Sequence, residues 1–228
     1  CPYCDFNSHA LHAPVDQNAY VDALLRDLDH EVARRPLPEI GSVFIGGGTP
    51  SLFSGAAIGR LLEGAAQRLR LARGAEITLE ANPGAAEAAH FSEYRAAGVN
   101  RLSIGVQSLD DARLQALGRI HSASEAIDAF RLARDAGFDN INLDMMYGLP
   151  AQTTADMLAD LRGLLTLQPE HVSWYELTLE PNTRFHHRPP PLPDEDQRVE
   201  MMERGQAFLA ARGYRQYEIS AYARDDRL

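Results

Sequence analysis

Cys1 and Cys4 stand three positions apart at the start of the chain, and they are the only cysteines among its 228 residues. Thiolates at this spacing can ligate one metal centre or close one disulfide. Three chemistries fit: a thiol–disulfide redox pair, a zinc site completed by His9 and His12, and an iron–sulfur cluster with a further ligand upstream. The alternative without chemistry is two small buried residues in a turn.

The neighbouring residues favour the iron–sulfur cluster among these chemistries. Cys1-Pro2-Tyr3-Cys4 matches a glutaredoxin-like active site in its letters, but such a site needs a helix at its second cysteine. Asp5-Phe6-Asn7-Ser8-His9 is a poor start for a helix. The interval from Cys4 to His9 is also far shorter than the loop between the ligand pairs of a zinc finger.

A second set of chemistry-bearing residues follows apolar segments that have the character of strands. Gly46-Gly47-Gly48-Thr49-Pro50 lets a ligand approach the backbone and offers N–H and C=O groups to a charged amino-acid moiety. A tight turn between strand and helix would have the same composition. Glu80, Gln107 and Asp144 each end a strand, where a carboxylate can accept hydrogen bonds from ribose hydroxyls. Singly, each is equally consistent with a solvated residue or a helix cap.

Other residues carry weaker signals. Arg119 could pair with a ligand carboxylate or lie on the surface. Thr178 and Glu180 follow a later strand and add polar groups there. Trp174 and Tyr175 are predicted to belong to the core.

The hydrophobic pattern predicts alternating strands and helices along the chain. Residues 184–194 are rich in proline and are expected to lack regular structure. Helices are predicted over 16–35, from Ser54 to about Leu71, after the break at Asn82-Pro83-Gly84 up to Ala97, briefly near Leu109, and over 124–136, 154–167 and 194–212. Strands are predicted over 42–45, 76–80, 101–104, 141–145, 171–177 and 216–220.

Alternation of this kind predicts an α/β fold with parallel strands, and we expect an incomplete parallel (β/α) barrel in preference to an open sheet. The polar residues named above follow the strands, so they should gather at the carboxyl edge of the barrel. The opening cysteine segment would lie there too if a strand precedes it.

Composition limits the partners and the compartment. The formal net charge of −10 argues against nucleic acid as the main partner. No apolar run approaches the roughly 20 residues that span a bilayer, so no integral membrane segment is expected. Two cysteines are too few for a secreted disulfide scaffold, which favours a cytoplasmic location.

Seven stretches of the sequence, in order and over nearly its whole length, resemble one protein family. They are CPYCDFNSH, GGGTPSLF, EANPG, RLSIGVQSLDDARLQALGRIH, NINLDMMYGLP, SWYELTLEPNT and GYRQYEISAYA. They are similar to the radical S-adenosylmethionine (SAM) proteins related to oxygen-independent coproporphyrinogen III oxidase. More narrowly, they resemble the haem-chaperone (HemW-like) branch of that family, in which Phe6 replaces a further cysteine of the oxidases and the EPNT run is also found.

The resemblance implies a cofactor set and a domain organisation. In the family motif Cys-x3-Cys-x2-Cys, Cys1 and Cys4 match the second and third ligands of a [4Fe–4S] cluster, whose open iron binds SAM. Residues 1–228 would then be one radical SAM core domain that lacks its first strand, its first cluster cysteine and a C-terminal domain. The resemblance further implies SAM contacts at Tyr3, Gly47, Gly48, Thr49, Glu80, Gln107, Arg119, Asp144 and Thr178.

The function implied is haem handling. A chaperone of this branch would bind the cluster, SAM and haem, take electrons from a reductant, and pass haem to acceptor proteins. An enzyme that decarboxylates coproporphyrinogen III stays open as an alternative, and a thiol–disulfide oxidoreductase using Cys1 and Cys4 as an outside one. Whether the chain is an enzyme is therefore left open by the sequence.

Overall fold

The computed structural model describes residues 1–6 and 14–224, so His9 and His12 lie outside the described residues. Its centre is one curved sheet with the strand order β1-β2-β3-β4-β5-β7-β6. The first five strands are parallel, and β7 pairs antiparallel with both β5 and β6. The strands are β1 (Ile40–Ile45), β2 (Leu71–Ala81), β3 (Arg101–Gln107), β4 (Ile141–Tyr147), β5 (His171–Glu176), β6 (Tyr214–Gln216) and β7 (Ala221–Arg224).

Helices connect the parallel strands, and local sequence determines several of their ends. The Asp16 and Ser54 side chains accept backbone N–H groups at the starts of α1 and α2, and Gly98 ends α4 in a left-handed conformation. The helices are α1 (Gln17–Arg34), α2 (Gly55–Ala66), α3 (Ala85–Ala88), α4 (Phe91–Ala97), α5 (Asp111–Ala116), α6 (Ala123–Asp135), α7 (Thr154–Leu165), α8 (Arg184–His187) and α9 (Glu195–Ala210).

The core lies between the sheet and these helices. Strands β3 and β4 are buried almost throughout, as expected for parallel strands covered on both faces. Leu79, Leu102, Ile104, Ile141 and Leu143 are fully buried within one large cluster. The predicted α/β barrel that does not close is confirmed.

The structure corrects the predicted elements at four places. Helix α2 ends at Ala66, and Leu71 already belongs to the long strand β2. The helix predicted up to Ala97 is divided into α3 and α4. The proline-rich segment contains α8, because the Thr183 hydroxyl accepts the His186 N–H and starts a short helix before the first proline.

The fourth correction is the last predicted strand, over 216–220. Strand β6 ends at Gln216 and β7 begins at Ala221, and the residues between them form the turn of an antiparallel hairpin. The sheet is therefore parallel only through β5.

Within the described residues, no helix is both long and apolar enough to cross a membrane.

Candidate cofactor site

Residues from β2, β3 and β4, most of them polar, and from the neighbouring loops, including the loop after β1, line one cavity at the carboxyl edge of the sheet. Its volume is about 130 Å³. The parallel register brings these side chains together, since the carboxyl ends of β1 to β4 lie side by side. The lining residues are Gly48, Thr49, Pro50, Ser51, Glu80, Ala81, Asn82, Ser103, Gly105, Gln107, Arg119 and Asp144.

The glycine run after β1 lies against Glu80. The Gly47 N–H donates to Oε2 of Glu80 across 3.1 Å. Gly47 has a φ of 110°, which favours glycine. A Cβ atom at Gly46 would stand 2.9 Å from the same Glu80 oxygen, so only glycine permits this approach. The run thereby places its backbone beside a carboxylate of the cavity.

Asp144 is a half-buried acid of the cavity wall, and its carboxylate is largely withdrawn from solvent. The Asn142 side-chain amide donates to its Oδ1 across 2.7 Å, and the Ser103 hydroxyl donates across 3.2 Å. Burial, together with the nearby Glu80 charge, raises the pKa of Asp144 from 3.8 to about 6, although the hydrogen bonds to its carboxylate act in the opposite direction. The Ser173 side chain is a third hydrogen-bond partner, and a carboxylate with about four lone-pair sites still has one available to a ligand.

Gln107 reaches the cavity through an irregular strand end. Its φ is 70°, and the register between β3 and β4 shifts between Gly105 and Gln107. The side chain is buried, and the Tyr175 hydroxyl donates to its Oε1 across 2.8 Å. Tyr175, predicted to belong to the core, therefore contacts a residue of the cavity.

Arg119 joins the cavity to the cysteine segment. Its Nη2 donates to Oδ1 of Asn82 at 2.9 Å and to the Gly105 carbonyl at 3.0 Å. Its Nη1 lies 3.8 Å from the sulfur of Cys1. One guanidinium is thus shared between the wall of the cavity and a thiol.

Cys1 and Cys4 are both free thiols, the first exposed and the second half-buried. The Cys4 N–H donates to the Cys1 carbonyl in a turn, at 3.4 Å. Tyr3 lies between them, and burial raises the pKa of its hydroxyl while the Arg119 charge lowers it. The thiols therefore lie at the same edge as the cavity.

The two thiols fit a thiolate-bound cluster, whereas the histidines of the alternative zinc site, His9 and His12, lie outside the described residues. Among the described residues, no group of three or more histidine, cysteine, aspartate or glutamate side chains could hold a metal. A structural zinc ion needs four such ligands close together. The pair also fits a cluster that takes further thiolates from elsewhere.

The sequence-predicted residues divide into three groups. Gly48, Thr49, Glu80, Gln107, Arg119 and Asp144 line the cavity, and Gly47 lies beside it through Glu80. Tyr3 contacts Arg119 and packs on Phe185, at 6.4 Å between ring centroids. Thr178 is exposed, one of the residues beyond β5, and does not line the cavity.

Sequence reasoning missed four residues that support the site: Ser103, Asn142, Ser173 and Tyr175. Asn142 donates to both Ser103 and Ser173 at 2.9 and 2.8 Å, and so links three strands. Alternate residues of a strand share one face. These four residues lie on the same face of β3, β4 and β5 as Asp144. Reading every second residue along these strands would have found them.

Comparison with known proteins agrees with this geometry. Residues 1–164 match the Radical SAM superfamily. The chain is 54% identical to "Heme chaperone HemW" of Escherichia coli over 224 residues, which are 98% of this chain and 59% of that protein. It is 41% identical to the bovine "Radical S-adenosyl methionine domain-containing protein 1, mitochondrial", covering 52% of that protein.

A solved structure shows the same fold. The E. coli coproporphyrinogen III oxidase HemN, described as a radical SAM enzyme, superposes with a TM-score of 0.87 at 27% identity. The superposition covers 99% of this chain and 53% of HemN. The chain thus spans between half and three-fifths of the length of the relatives it matches.

Proposed function

Because the chain belongs to the radical SAM superfamily, we propose that it is the core of a haem chaperone that binds a [4Fe–4S] cluster and SAM and passes haem to acceptor proteins. The observation that carries the proposal is the placement of two free thiols at the same edge as the cavity. The names of the relatives at 54% and 49% identity support the haem-chaperone branch.

In this proposal the thiols bind the cluster and the cavity binds SAM. Cys1 and Cys4 supply two thiolates of the cluster, and a further cysteine outside residues 1–228 supplies the third. Together, a [4Fe–4S] cluster and SAM supply one-electron reductive chemistry, with electrons from a protein reductant. The chain itself binds, orients and shields the ligand.

The cavity residues match the groups that SAM displays. Glu80 and Asp144 accept hydrogen bonds from hydroxyl or ammonium groups, and Arg119 pairs with a carboxylate. The backbone of Gly47, Gly48 and Thr49 approaches the amino-acid moiety. The remaining proposed contacts are Tyr3, Gln107 and Thr178, and for Thr178 the proposal requires that the exposed residues after β5 close over the ligand.

A coproporphyrinogen III oxidase is the second candidate, and the superposition on HemN favours it. Two features favour the chaperone instead. In the oxidase motif a further cysteine stands two positions after the third one, and Phe6 occupies that position here. Identity to the proteins named as chaperones is also higher, at 54% against 27%.

The cellular setting follows from the same chemistry. An oxygen-sensitive cluster needs a reducing compartment, and we place the protein in the cytoplasm. The net charge of −10 disfavours nucleic acid as a partner. The partners proposed are haem, an acceptor of haem, and a reductant for the cluster.

Anaerobic reconstitution of the full-length protein with iron and sulfide tests the cofactor proposal. We expect one oxygen-sensitive [4Fe–4S] cluster per chain, and nearly complete loss of its absorbance in Cys4→Ser and in Cys1→Ser. Zinc in place of iron by elemental analysis would reject the cluster. A cluster unchanged in both variants would restore the thiol–disulfide alternative.

The haem proposal needs its own measurement. The haem-loaded full-length protein should transfer haem to an apoprotein acceptor, detected by the acceptor's absorption spectrum. Incubation with coproporphyrinogen III, SAM and reductant should leave that substrate unchanged. Protoporphyrinogen in the products would make the chain an oxidase and end the chaperone proposal.

A further inference from the structure

We propose that Tyr175 is a positioning residue of the cofactor site, which acts by fixing the end of the Gln107 amide that faces the cavity. The inference rests on the proposed function, because it treats the cavity as the binding site for SAM. It adds a residue whose own side chain does not line the cavity.

The contact spans the concave face of the sheet. Gln107 ends β3 and Tyr175 lies on β5, with β4 between them, and Met146 of β4 is the register partner of Tyr175. The Tyr175 hydroxyl donates to Oε1 of Gln107 across 2.8 Å. Gln107 is only 6% exposed, so water cannot replace this bond freely.

The orientation of a glutamine amide decides what it offers to a ligand. A half-turn of the amide exchanges its acceptor oxygen with its NH₂ group, which carries two donors. Since Tyr175 donates to Oε1, both N–H groups of Nε2 are left for other partners. Tyr175 thereby makes Gln107 a donor towards the ligand.

Gly105 keeps that donor end open to the cavity. A Cβ atom at Gly105 would stand 3.0 Å from Nε2 of Gln107 and 3.4 Å from Nη2 of Arg119. Both Gly105 and Gln107 line the cavity. A side chain at position 105 would therefore cover the N–H groups that the tyrosine contact turns outward.

The charges near the pair favour the same direction of donation. Burial raises the pKa of the Tyr175 hydroxyl well above its ordinary value, and the Asp144 charge raises it further. The hydroxyl is protonated at physiological pH even at its ordinary pKa, and the shift holds it still more firmly as a donor. Glu80 and Asp144 also line the cavity, so the positive N–H end of the amide is the end they attract.

A double-mutant cycle on the full-length, cluster-loaded protein tests the inference, with SAM as the titrant in calorimetry. Tyr175→Phe removes one hydroxyl and keeps the ring, and we expect SAM affinity to fall about three- to tenfold. In the Gln107→Ala background the same change should have no further effect. Gln107→Glu keeps an acceptor for Tyr175 but loses both N–H donors, and should bind as weakly as Gln107→Ala.

Tyr222→Phe is the matched control. Tyr222 is buried on β7 and its hydroxyl bonds the side chain of Gln206, so it forms a tyrosine–glutamine pair away from the cavity. We expect this variant to lower the melting temperature as Tyr175→Phe does, while leaving SAM affinity unchanged.

The remaining outcomes separate this inference from the proposed function. Unchanged affinity in Tyr175→Phe, or an equal loss with and without Gln107, overturns the positioning role. Retained affinity in Gln107→Glu overturns the claim that the amide acts as a donor. Failure of the wild-type protein to bind SAM overturns the proposed function itself, before any variant is made.

Discussion

Pro2 packs directly on Gly118: a Cβ atom at Gly118 would stand 2.7 Å from Cδ of the proline. On its other side, the Pro2 carbonyl accepts the N–H of Phe185 at 3.0 Å. The segment between Cys1 and Cys4 is thus held between the loop that carries Arg119 and the short helix α8. The position of the two thiols depends on both contacts.

Gly118→Ala should therefore displace the cysteine segment and lower the cluster content. The new methyl group would collide with a rigid proline ring, which cannot rotate away as a flexible side chain would. The φ of 66° adds strain of about 1 kcal/mol. The measurement is iron and sulfide per chain after anaerobic reconstitution, together with the melting temperature.

Gly137→Ala is the control, because an alanine there has the same kind of backbone strain but does not collide with a neighbouring side chain. Gly137 has a φ of 88°, and no atom lies within 4 Å of its added Cβ. Both variants should lose stability through the strain, Gly118→Ala at least as much as Gly137→Ala because of its added collision, and only Gly118→Ala should lose cluster. Equal cluster contents in the two would show that the contact with Pro2 does not position the thiols.

The sequence predicts the parallel part of the fold because that part is encoded locally. Ser54 and Gly98 mark helix ends through their own side chain or backbone, and the apolar runs of β3 and β4 are continuous. The prediction of the last strand was wrong at the hairpin of β6 and β7 for the opposite reason. Its strands are short and are fixed by pairing with β5, which no local pattern shows.

The site divides in the same way. Glu80, Gln107 and Asp144 were predictable, since a polar residue at the end of an apolar strand is visible in the sequence. Tyr175 was not, because an aromatic residue within an apolar strand indicates burial and gives no sign of where its hydroxyl points. The 2.8 Å contact with Gln107 joins residues 68 positions apart and needs the folded sheet.

Asp144 should make the protein without SAM less stable as the pH rises. Its pKa is about 6 in the folded protein and 3.8 ordinarily, so the protonated acid is favoured by folding. The stability it contributes is complete below about pH 4 and is lost as the pH rises through about 6. A shift of about 2 units corresponds to roughly 3 kcal/mol, as an order of magnitude.

Asp144→Asn removes this titration and should be more stable than the wild type at pH 7, by up to about 3 kcal/mol, with the difference shrinking towards pH 4. Urea unfolding across this range, without SAM, measures it. Asp128→Asn is the control, since that aspartate is exposed and paired with Arg131 on the surface. A difference between wild type and Asp144→Asn that does not vary with pH would contradict the buried titration.

The same carboxylate should make SAM binding dependent on pH in the opposite sense. Only ionised Asp144 offers all its lone pairs to ligand hydroxyl or ammonium donors, so affinity should fall as the pH drops through about 6, approaching tenfold per unit. At pH 7.5 or so, Asp144→Asn should bind SAM about ten- to a hundredfold more weakly, because one charged acceptor is lost. In this variant the affinity should change little between about pH 5 and pH 7. Calorimetric titrations of both proteins, each checked by a thermal melt, give the two curves. If SAM affinity varied with pH in the same way in both proteins, SAM would not contact Asp144. The buried acid would then destabilise the protein without contributing to ligand binding.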